Sequence, residues 1–352
     1  MNTDKKPISY SYAFSFMDGM AHIIRKSGTG FINKYGELAV PCIYEMAYSY
    51  FDGLAMVQKD KKNGFIDKAG NVAIPIEYEN ADAFADGLAG VSEDGKWGFI
   101  DKQGKLVIPY LYDGVNWFSE GLCGVFKDGK AGVIDKQGNE VIAFGIYEEV
   151  MDFNNGLAYA CKDGHGGYID RSGNEVIPFV YDCKGSGLFK EDLICISKEN
   201  KWGVLDKDGR EVIPFIYDDM AVEFSEELLA VGKDGKYGCI DKQGNTVIPF
   251  IYDDLRNFSE ERAAARMGNV WGFINKENKA VVPFAFETVY SYSEGLALVM
   301  QKGRNAYFID KNGEANIALK RSYNIFDYVK LGFLGLTAAA LIFMLIRALI
   351  AP

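Results

Sequence analysis

The chain has 352 residues, 48% of them hydrophobic, and its 38 basic and 49 acidic side chains give a formal net charge of −11. The hydrophobic fraction excludes an intrinsically disordered chain, and the acidic balance argues against binding a nucleic-acid backbone, which needs clustered Lys and Arg. The 39 glycines, 21 tyrosines and 24 phenylalanines favour many short strands joined by tight turns.

Residues 1–15 form a predicted N-terminal lead. They are polar and aromatic, and they contain no apolar run of the length that a secretory signal needs. We therefore expect no export signal at this end of the chain.

A repeat begins near residue 16. The segment 96–113, KWGFIDKQGKLVIPYLYD, returns as KWGVLDKDGREVIPFIYD at 201–218 and as KYGCIDKQGNTVIPFIYD at 236–253. A recurring glycine, followed at intervals of 34 to 36 residues by its equivalents, marks Gly30, Gly64, Gly98, Gly132, Gly167, Gly203, Gly238 and Gly272, with Tyr307 in the ninth place. An aromatic residue opens each unit, at Phe16, Tyr50, Phe84, Phe118, Phe153, Phe189, Phe224, Phe258 and Tyr292. We predict a nine-unit array over residues 16–318.

These residues resemble the bacterial WG-repeat (KWG-type) proteins, through the motif G-x-I-D-x-x-G-x-x-V-I-P-x-x-Y-[DE]. The tryptophan of the motif is kept at Trp97, Trp202 and Trp271. The resemblance implies a β-rich repeat that serves as a binding or scaffolding module. It implies no chemistry, so it identifies no substrate.

One unit illustrates the predicted elements. Residues 87–91, 97–101 and 106–109 read as three antiparallel strands separated by turn sequences. Asp101 and Gly104 suit a tight turn, in which the carboxylate binds backbone amides and the glycine takes a positive φ. A calcium loop would need several oxygen side chains at alternating positions, so we predict a structural turn.

The strands of a unit are apolar on both faces. Phe99 and Ile100 are adjacent apolar residues, as are Val107 and Ile108, and adjacent residues point to opposite sides of a sheet. Such sheets must stack face to face with their neighbours. Nine units exceed the four to eight blades of typical propellers, and no terminal strand is evident to complete a blade. We therefore predict an open, superhelical, solenoid-like array, with a closed propeller-like ring as the alternative.

An aromatic residue followed in most units by an acidic one comes after the recurring proline, at Tyr44, Tyr78, Tyr112, Tyr147, Tyr181, Tyr217, Tyr252 and Phe286. These steps could form pockets for a sugar or a basic peptide, or the rings could pack under the next unit. We favour packing, because a feature present in every unit serves to hold units together.

The cysteines show no C-x-x-C pair. We expect them to be small core side chains in a reducing compartment, forming neither a disulfide framework nor a zinc site. They lie at Cys42, Cys123, Cys161, Cys183, Cys195 and Cys239.

Signatures of catalysis are missing from the sequence. Its two histidines, His22 and His165, belong to no H-E-x-x-H pair, and neither a G-x-S-x-G elbow nor a P-loop occurs. We predict a non-enzyme with no catalytic, cofactor-binding or metal-binding residues, and leave its binding residues open. The longest interval, from Gly167 to Gly203, contains a departure at 182–187. An insertion on a binding face and a neutral loop both explain it, and we favour the neutral loop.

The C-terminal end differs in character from the repeats. After a linker at 319–327, residues 331–346 carry no charge, and residues 328–352 predict a single transmembrane helix serving as a tail anchor. A buried core helix is the alternative. Lys320, Arg321 and Lys330 precede the span and only Arg347 follows, which favours a cytoplasmic repeat domain.

These observations together predict a non-enzymatic, membrane-anchored scaffold. Its array would recruit a protein partner to the cytosolic membrane face. Because residues 1–327 alone carry a net charge of −13, a basic partner is favoured over nucleic acid. The alternative is a carbohydrate- or envelope-binding module exposed outside the cytosol.

Overall fold

The computed structural model describes residues 8–183, 186–190, 192–301 and 305–321. All regular elements among these residues are β-strands, and they form nine sheets. Strand β1 spans Ile8–Tyr10, and each later group of four strands forms one blade. Blade 1 has β2 Tyr12–Ala13, β3 Met20–Arg25, β4 Gly28–Asn33 and β5 Leu38–Tyr44; blade 2 has β6 Met46–Phe51, β7 Leu54–Lys59, β8 Lys62–Ile66 and β9 Val72–Tyr78; blade 3 has β10 Asn80–Ala81, β11 Leu88–Glu93, β12 Lys96–Asp101 and β13 Leu106–Tyr112.

The remaining blades follow the same order. Blade 4 has β14 Gly114–Val115, β15 Leu122–Lys127, β16 Lys130–Asp135 and β17 Glu140–Ile142; blade 5 has β18 Glu149–Asn154, β19 Leu157–Lys162, β20 His165–Asp170 and β21 Glu175–Asp182; blade 6 has β22 Ser186–Lys190, β23 Leu193–Lys198, β24 Lys201–Asp206 and β25 Glu211–Tyr217. Blade 7 has β26 Asp219–Met220, β27 Leu229–Lys233, β28 Lys236–Ile240 and β29 Thr246–Tyr252; blade 8 has β30 Asp254–Leu255, β31 Ala263–Met267, β32 Val270–Ile274 and β33 Ala280–Phe286; blade 9 has β34 Thr288–Val289, β35 Ala297–Met300, β36 Asn305–Ile309 and β37 Ala315–Arg321. The four strands of a blade are termed A to D in chain order.

The two ends of the array meet through β1. This strand pairs in parallel with β37, with Ile8 opposite Leu319 and Tyr10 opposite Arg321, so blade 9 has five strands. A single hydrophobic core also joins Phe16 of blade 1 to Phe308 of blade 9. The strands of the array therefore run from Ile8 to Arg321, beyond the predicted limits of 16 and 318.

The contacts between blades 9 and 1 repeat those between ordinary neighbours. Ser293 Oγ donates to the carbonyl oxygen of Phe16 at 2.7 Å, as Ser259 Oγ of blade 8 donates to that of Tyr292 at 2.8 Å. The molecule is thus a closed nine-bladed β-propeller. The prediction of nine all-β units is confirmed, the prediction of an open superhelical array is wrong, and its alternative, the closed ring, is correct.

Each blade has one strand more than predicted. The additional A strand is only two residues long in most blades, as at Asn80–Ala81, which pairs antiparallel with β11. It follows the D strand of the preceding unit after a single residue, Glu79. No turn sequence separates this D strand from the A strand that follows it, so the sequence pattern predicts a single strand there.

The two-faced burial that the sequence predicts holds for the C strand. Phe99 and Ile100 are both buried, whereas on the D strand Ile108 is buried and Val107 is 38% exposed. Blades that radiate from one axis move apart toward the rim, so an outer strand is covered on one face only. The prediction that the D strand is buried on both faces is therefore wrong.

The predicted turn after the C strand is confirmed. Asp101 Oδ1 accepts hydrogen bonds from the backbone nitrogens of Gln103 at 3.0 Å and Lys105 at 2.9 Å. Gly104 closes the turn with a φ of +78°, in the left-handed region that glycine adopts without strain. The carboxylate is occupied by its own turn.

Acid should weaken these turns. Hydrogen bonds from the side chain of Asn71 lower the pKa of Asp67, and those from Asn245 lower the pKa of Asp241. A carboxyl group whose folded pKa is depressed stabilises the fold above its unfolded pKa of about 4 and loses that contribution as the pH falls further. We expect the thermal midpoint to fall between pH 5 and 3, and Asp241→Asn to lower it at pH 7 with a smaller further loss in acid. An unchanged midpoint at pH 3 would contradict this.

Two cysteines depart from the prediction. Cys161, in β19, and Cys183, just after β21, form a disulfide with their Cα atoms 5.9 Å apart. The expectation that none of the six forms a disulfide is wrong for this pair, because the hairpin that separates them in sequence returns the chain to the same core. The other four, Cys42, Cys123, Cys195 and Cys239, are buried free thiols, as predicted.

The predicted anchor at 328–352 and residues 322–327 of the linker lie outside the described residues. In the part of the chain that is described, no helix has the length and apolar character to span a bilayer.

Candidate functional site

The recurring glycine lies where two strands approach most closely. A Cβ atom at Gly98 would lie 2.5 Å from the carbonyl oxygen of Ile108, which is closer than real Cβ contacts. The pairing of β12 with β13 shifts register at this point, between Trp97 opposite Tyr112 and Phe99 opposite Ile108. The glycine is therefore needed for strand packing.

The acidic residue after the recurring aromatic joins two blades. Asp113 Oδ1 forms an ion pair with Lys96 Nζ of blade 3, and its Oδ2 accepts from the backbone nitrogen of Asp128 in blade 4 at 2.6 Å. Equivalent contacts occur at Asp218 and Asp253. These acids hold neighbouring blades in place.

A second row of acids joins the blades at the opposite end of the strands. Asp86 Oδ2 accepts from the backbone nitrogen of Gly121 at 2.7 Å, and its Oδ1 lies 2.7 Å from Lys136 Nζ. Glu294 of blade 9 binds the backbone nitrogen of Gly19 in blade 1 in the same way, at 2.9 Å. This row therefore continues across the closure of the ring.

The recurring aromatic rings also hold neighbouring blades together. Tyr112 is 4% exposed and stacks on Phe144 of the next blade, with ring centroids 6.5 Å apart. The hydroxyl of Tyr147 donates to the carbonyl oxygen of Gly173 at 2.8 Å. The packing interpretation is thus supported, and these buried rings offer no open platform for a sugar.

The inner edge of the blades is identified by a contact that skips a blade. Phe51 of blade 2 and Trp117 of blade 4 have ring centroids 6.2 Å apart. Blades two apart can meet only near the axis of the ring, and both residues lie at the end of an A strand or just beyond it. The A strands therefore line the centre. We call the residue that directly follows the paired start of each A strand, together with Phe51 and Trp117, the inner wall.

Inner-wall residues differ from blade to blade. In blades 1 to 5 and 7 to 9 the residue that directly follows the paired part of the A strand is, in order, Phe14, Tyr48, Asp82, Asn116, Met151, Ala221, Arg256 and Tyr290. One arc of the ring therefore carries aromatic, acidic and basic side chains, and the arc of blades 5 and 7 carries small or aliphatic ones. Sequence reasoning missed this set, although aligning the units shows a column that changes charge beside columns that do not.

Arg256 is the cation of the inner wall. Its Nη1 donates to the carbonyl oxygen of Val289 in blade 9 at 2.8 Å, and its Cζ lies 5.0 Å from the ring centroid of Trp271. Burial lowers the pKa of this guanidinium, which stays charged at neutral pH.

Asp82 is the anion of the same set. Its backbone nitrogen donates to Gly90 at 2.8 Å, but no donor contacts its carboxylate among the described residues. Burial raises the pKa of Asp82 to about 6. Its side chain is nevertheless partly accessible, as expected for a group that faces an internal channel.

The two histidines lie apart from each other. His165 is exposed at the start of β20, and its Nδ1 lies 2.9 Å from the carbonyl oxygen of Asp163 in its own turn. His22 stacks on Phe14 with ring centroids 3.7 Å apart, and burial lowers its pKa to about 3, so it is neutral. No group of potential metal ligands occurs within the described ranges.

Of the departure at 182–187, residues 184 and 185 lie outside the described residues.

Comparison with known proteins agrees with this architecture. A family model described as "WG containing repeat" matches residues 30–62, 64–97, 97–130, 132–164, 167–202, 202–237, 237–271 and 271–304. A search of curated proteins finds no significant match.

Solved structures resemble the chain in fold. A crystal structure of the eukaryotic initiation factor is 12% identical with a TM-score of 0.61, covering 88% of this chain and 100% of its own. The computationally designed Ika8 protein is 11% identical with a TM-score of 0.46, covering 91% and 98%. BamB from Moraxella catarrhalis is 15% identical with a TM-score of 0.47, covering 78% and 94%. At these identities only the fold of the first is comparable.

Proposed function

The chain belongs to the family of WG-containing repeat proteins, and on that premise we propose that it is a non-enzymatic binding protein that holds a protein partner at the inner wall of its ring. The observation that carries this proposal is the contrast between the residues that join neighbouring blades and the residues of the inner wall. The recurring glycines, acids and aromatic rings are occupied in holding blades together, whereas the inner-wall residues differ between blades. A specific binding surface needs such differences, because identical positions would present the same contact nine times.

The partner that we propose is basic. Residues 1–327 carry a net charge of −13, and a field of that sign attracts cations and repels nucleic acid. Asp82 places one of these charges at the centre of the ring, while the inter-blade acids are largely paired with Lys, Arg or backbone amides.

The membrane has a part in this proposal. Residues 328–352 would anchor the ring as a single-pass tail with the repeat domain in the cytoplasm, so that the partner is recruited to that surface. The support is the uncharged stretch 331–346 and the basic residues on its N-terminal side.

The alternative, a carbohydrate- or envelope-binding module, depended on the repeated tyrosines as stacking platforms. Tyr112, Tyr217 and Tyr252 are each no more than 5% exposed and stack on rings of the next blade. We therefore favour the protein-binding scaffold.

Proximity labelling of the full chain tests this proposal. We expect the double variant Tyr48→Ala, Trp117→Ala to lose the labelled partner, because it removes two large side chains of the inner wall. The matched control Val107→Ser, Leu111→Ser alters two exposed rim residues and should keep it. A chain lacking 328–352 should fold but lose labelling at the membrane. Identical labelling by the wall variant and the native chain would refute the proposal.

A further inference from the structure

We propose that the junction of blades 3 and 4 is a socket for an arginine side chain of the partner, with Asp82 as its counter-ion. This inference rests on the proposed function, since it names the chemistry that the inner wall recognises. It is argued from a site that the chain itself fills at another junction.

The template is the junction of blades 8 and 9. There the guanidinium of Arg256 is held by two parts: the carbonyl oxygen of Val289, at 2.8 Å, and the indole of Trp271, 5.0 Å away. Tyr290 adds a second ring at 5.9 Å. An acceptor on the next blade and an aromatic face are what a guanidinium prefers. The fold therefore contains one built site for this group.

The junction of blades 3 and 4 has the same parts in the same register. The backbone N–H of Asp82 donates to the carbonyl oxygen of Gly90, as the backbone N–H of Arg256 donates to that of Ala264. Trp97 occupies the repeat position of Trp271, directly before the motif glycine.

The acceptor on the next blade is also conserved in position between the two junctions. Val115 ends the A strand of blade 4 opposite Val125, and Val289 ends that of blade 9 opposite Val299. Asn116, one residue after Val115, donates its side-chain amide to the corresponding carbonyl of Val150 at 2.9 Å, so this row of carbonyls is used repeatedly by inner-wall donors. The junctions differ in that a carboxylate stands where the guanidinium would be.

A glycine leaves the carboxylate and the indole close together. A Cβ atom at Gly90 would lie 2.9 Å from Cγ2 of Val115, 3.5 Å from Cε3 of Trp97 and 3.6 Å from Oδ2 of Asp82. The carboxylate itself receives no hydrogen bond from the described part of the chain. A partly buried carboxylate without a donor is costly, and a cation from outside removes that cost.

Aromatic side chains of blades 2 and 4 lie on the axial side of blade 3. Burial, and secondarily the charge of Asp82, raises the pKa of Tyr48 to about 12, so this phenol of the neighbouring blade lies within the electrostatic field of the carboxylate. The pair Phe51 and Trp117 bridges blades 2 and 4 and so spans blade 3. An arginine side chain entering here would meet the carboxylate of Asp82 and the indole of Trp97.

The pH dependence has a defined sign. Tyr48 is the titratable group whose pKa responds to the charge of Asp82, and Trp97 and Val115, which lie with Asp82 around Gly90, carry no charge. With its pKa raised to about 6, Asp82 is neutral below that pH and ionised above it. Arginine binding should therefore strengthen as the pH rises from 5 to 7.

Calorimetric titration of the full chain with the blocked tripeptides acetyl-Gly-Arg-Gly-amide and acetyl-Gly-citrulline-Gly-amide tests the socket. Citrulline has the shape of arginine without its charge. We expect the arginine peptide to bind at least 10-fold more tightly, and Asp82→Asn to abolish that preference. The control Glu77→Gln, at an exposed residue of the rim, should leave it unchanged. Equal binding of the two peptides, no binding of either, or an unchanged preference in Asp82→Asn would overturn the inference.

A second variant guards against misfolding. Asp82→Arg should place a guanidinium against Trp97 and the carbonyl of Val115, as Arg256 is placed at its own junction. We expect a raised thermal midpoint and no peptide binding; a lowered midpoint would contradict the proposed geometry. If the peptides do not bind but labelling still depends on Tyr48 and Trp117, the socket fails and the protein-binding function stands. If labelling is independent of the inner wall, the function itself fails.

Discussion

Replacing Gly98 by alanine is expected to destabilise the ring by about 3 kcal/mol, the upper part of the range for overpacking. The added Cβ would lie 2.5 Å from the carbonyl oxygen of Ile108 and 2.9 Å from the carbonyl carbon of Pro109. Both atoms belong to the backbone of β13, so no side chain can rotate out of the way. Relief requires β13 to move off β12, which opens the core between blades. Urea unfolding monitored by circular dichroism measures the loss.

Gly114→Ala is the matched control. Gly114 begins the A strand of blade 4, outside the left-handed φ region, and its nearest neighbour would be Cδ2 of Phe126 at 3.7 Å, an ordinary contact. We expect a change within about 0.5 kcal/mol. Equal losses for the two variants would mean that loss of a glycine, and not the close strand approach, sets the cost.

Blade 9 shows what happens when the motif glycine is missing. Tyr307 pairs directly with Ala318, and the run from Asn305 to Phe308 keeps one register with β37, without the shift seen at Gly98. Ala318 stands where most other D strands carry proline, which cannot donate a ladder hydrogen bond. Where glycine and proline are both absent, the outer strand is regular and its edge accepts β1. Tyr307 in place of glycine and Ala318 in place of proline therefore allow β37 to pair with β1 and close the ring.

The sequence predicted the parts of the fold that are encoded locally. The turn of Asp101 and Gly104 and the buried C strand each depend on residues a few positions apart, and both are present as expected. Closure was predicted only as the alternative, because it joins Ile8–Tyr10 to a strand more than 300 residues away. A three-residue strand carries no periodic signal, and its partner lies in the unit that has Tyr307 in place of the motif glycine.

The candidate site was hidden for a different reason. Asp82 and Arg256 are visible in the sequence as charges in one repeat column, but charges on a surface are ordinary. They can be recognised as site residues only from the contact with the next blade, such as that of Arg256 with Val289, and from the position of the inner wall at the axis of the ring. The length of the A strand, two residues in most blades, gave no pattern from which to infer that position.

Replacing Tyr10 by alanine should destabilise the protein by about 3 kcal/mol or more, the cost of removing a large aromatic side chain from a core. Tyr10 is 2% exposed and ends β1, within the core that joins blades 9 and 1. Loss of its ring weakens the closure itself, so hydrogen exchange should accelerate first in β37 and β3, before other blades. Tyr35→Ala, at a residue 62% exposed on the turn of blade 1, should leave both stability and exchange unchanged. If the two variants unfold alike, or if exchange in Tyr10→Ala rises evenly around the ring, the parallel strand is not what holds the ends together, and the inter-blade contacts of Ser293 and Glu294 must suffice.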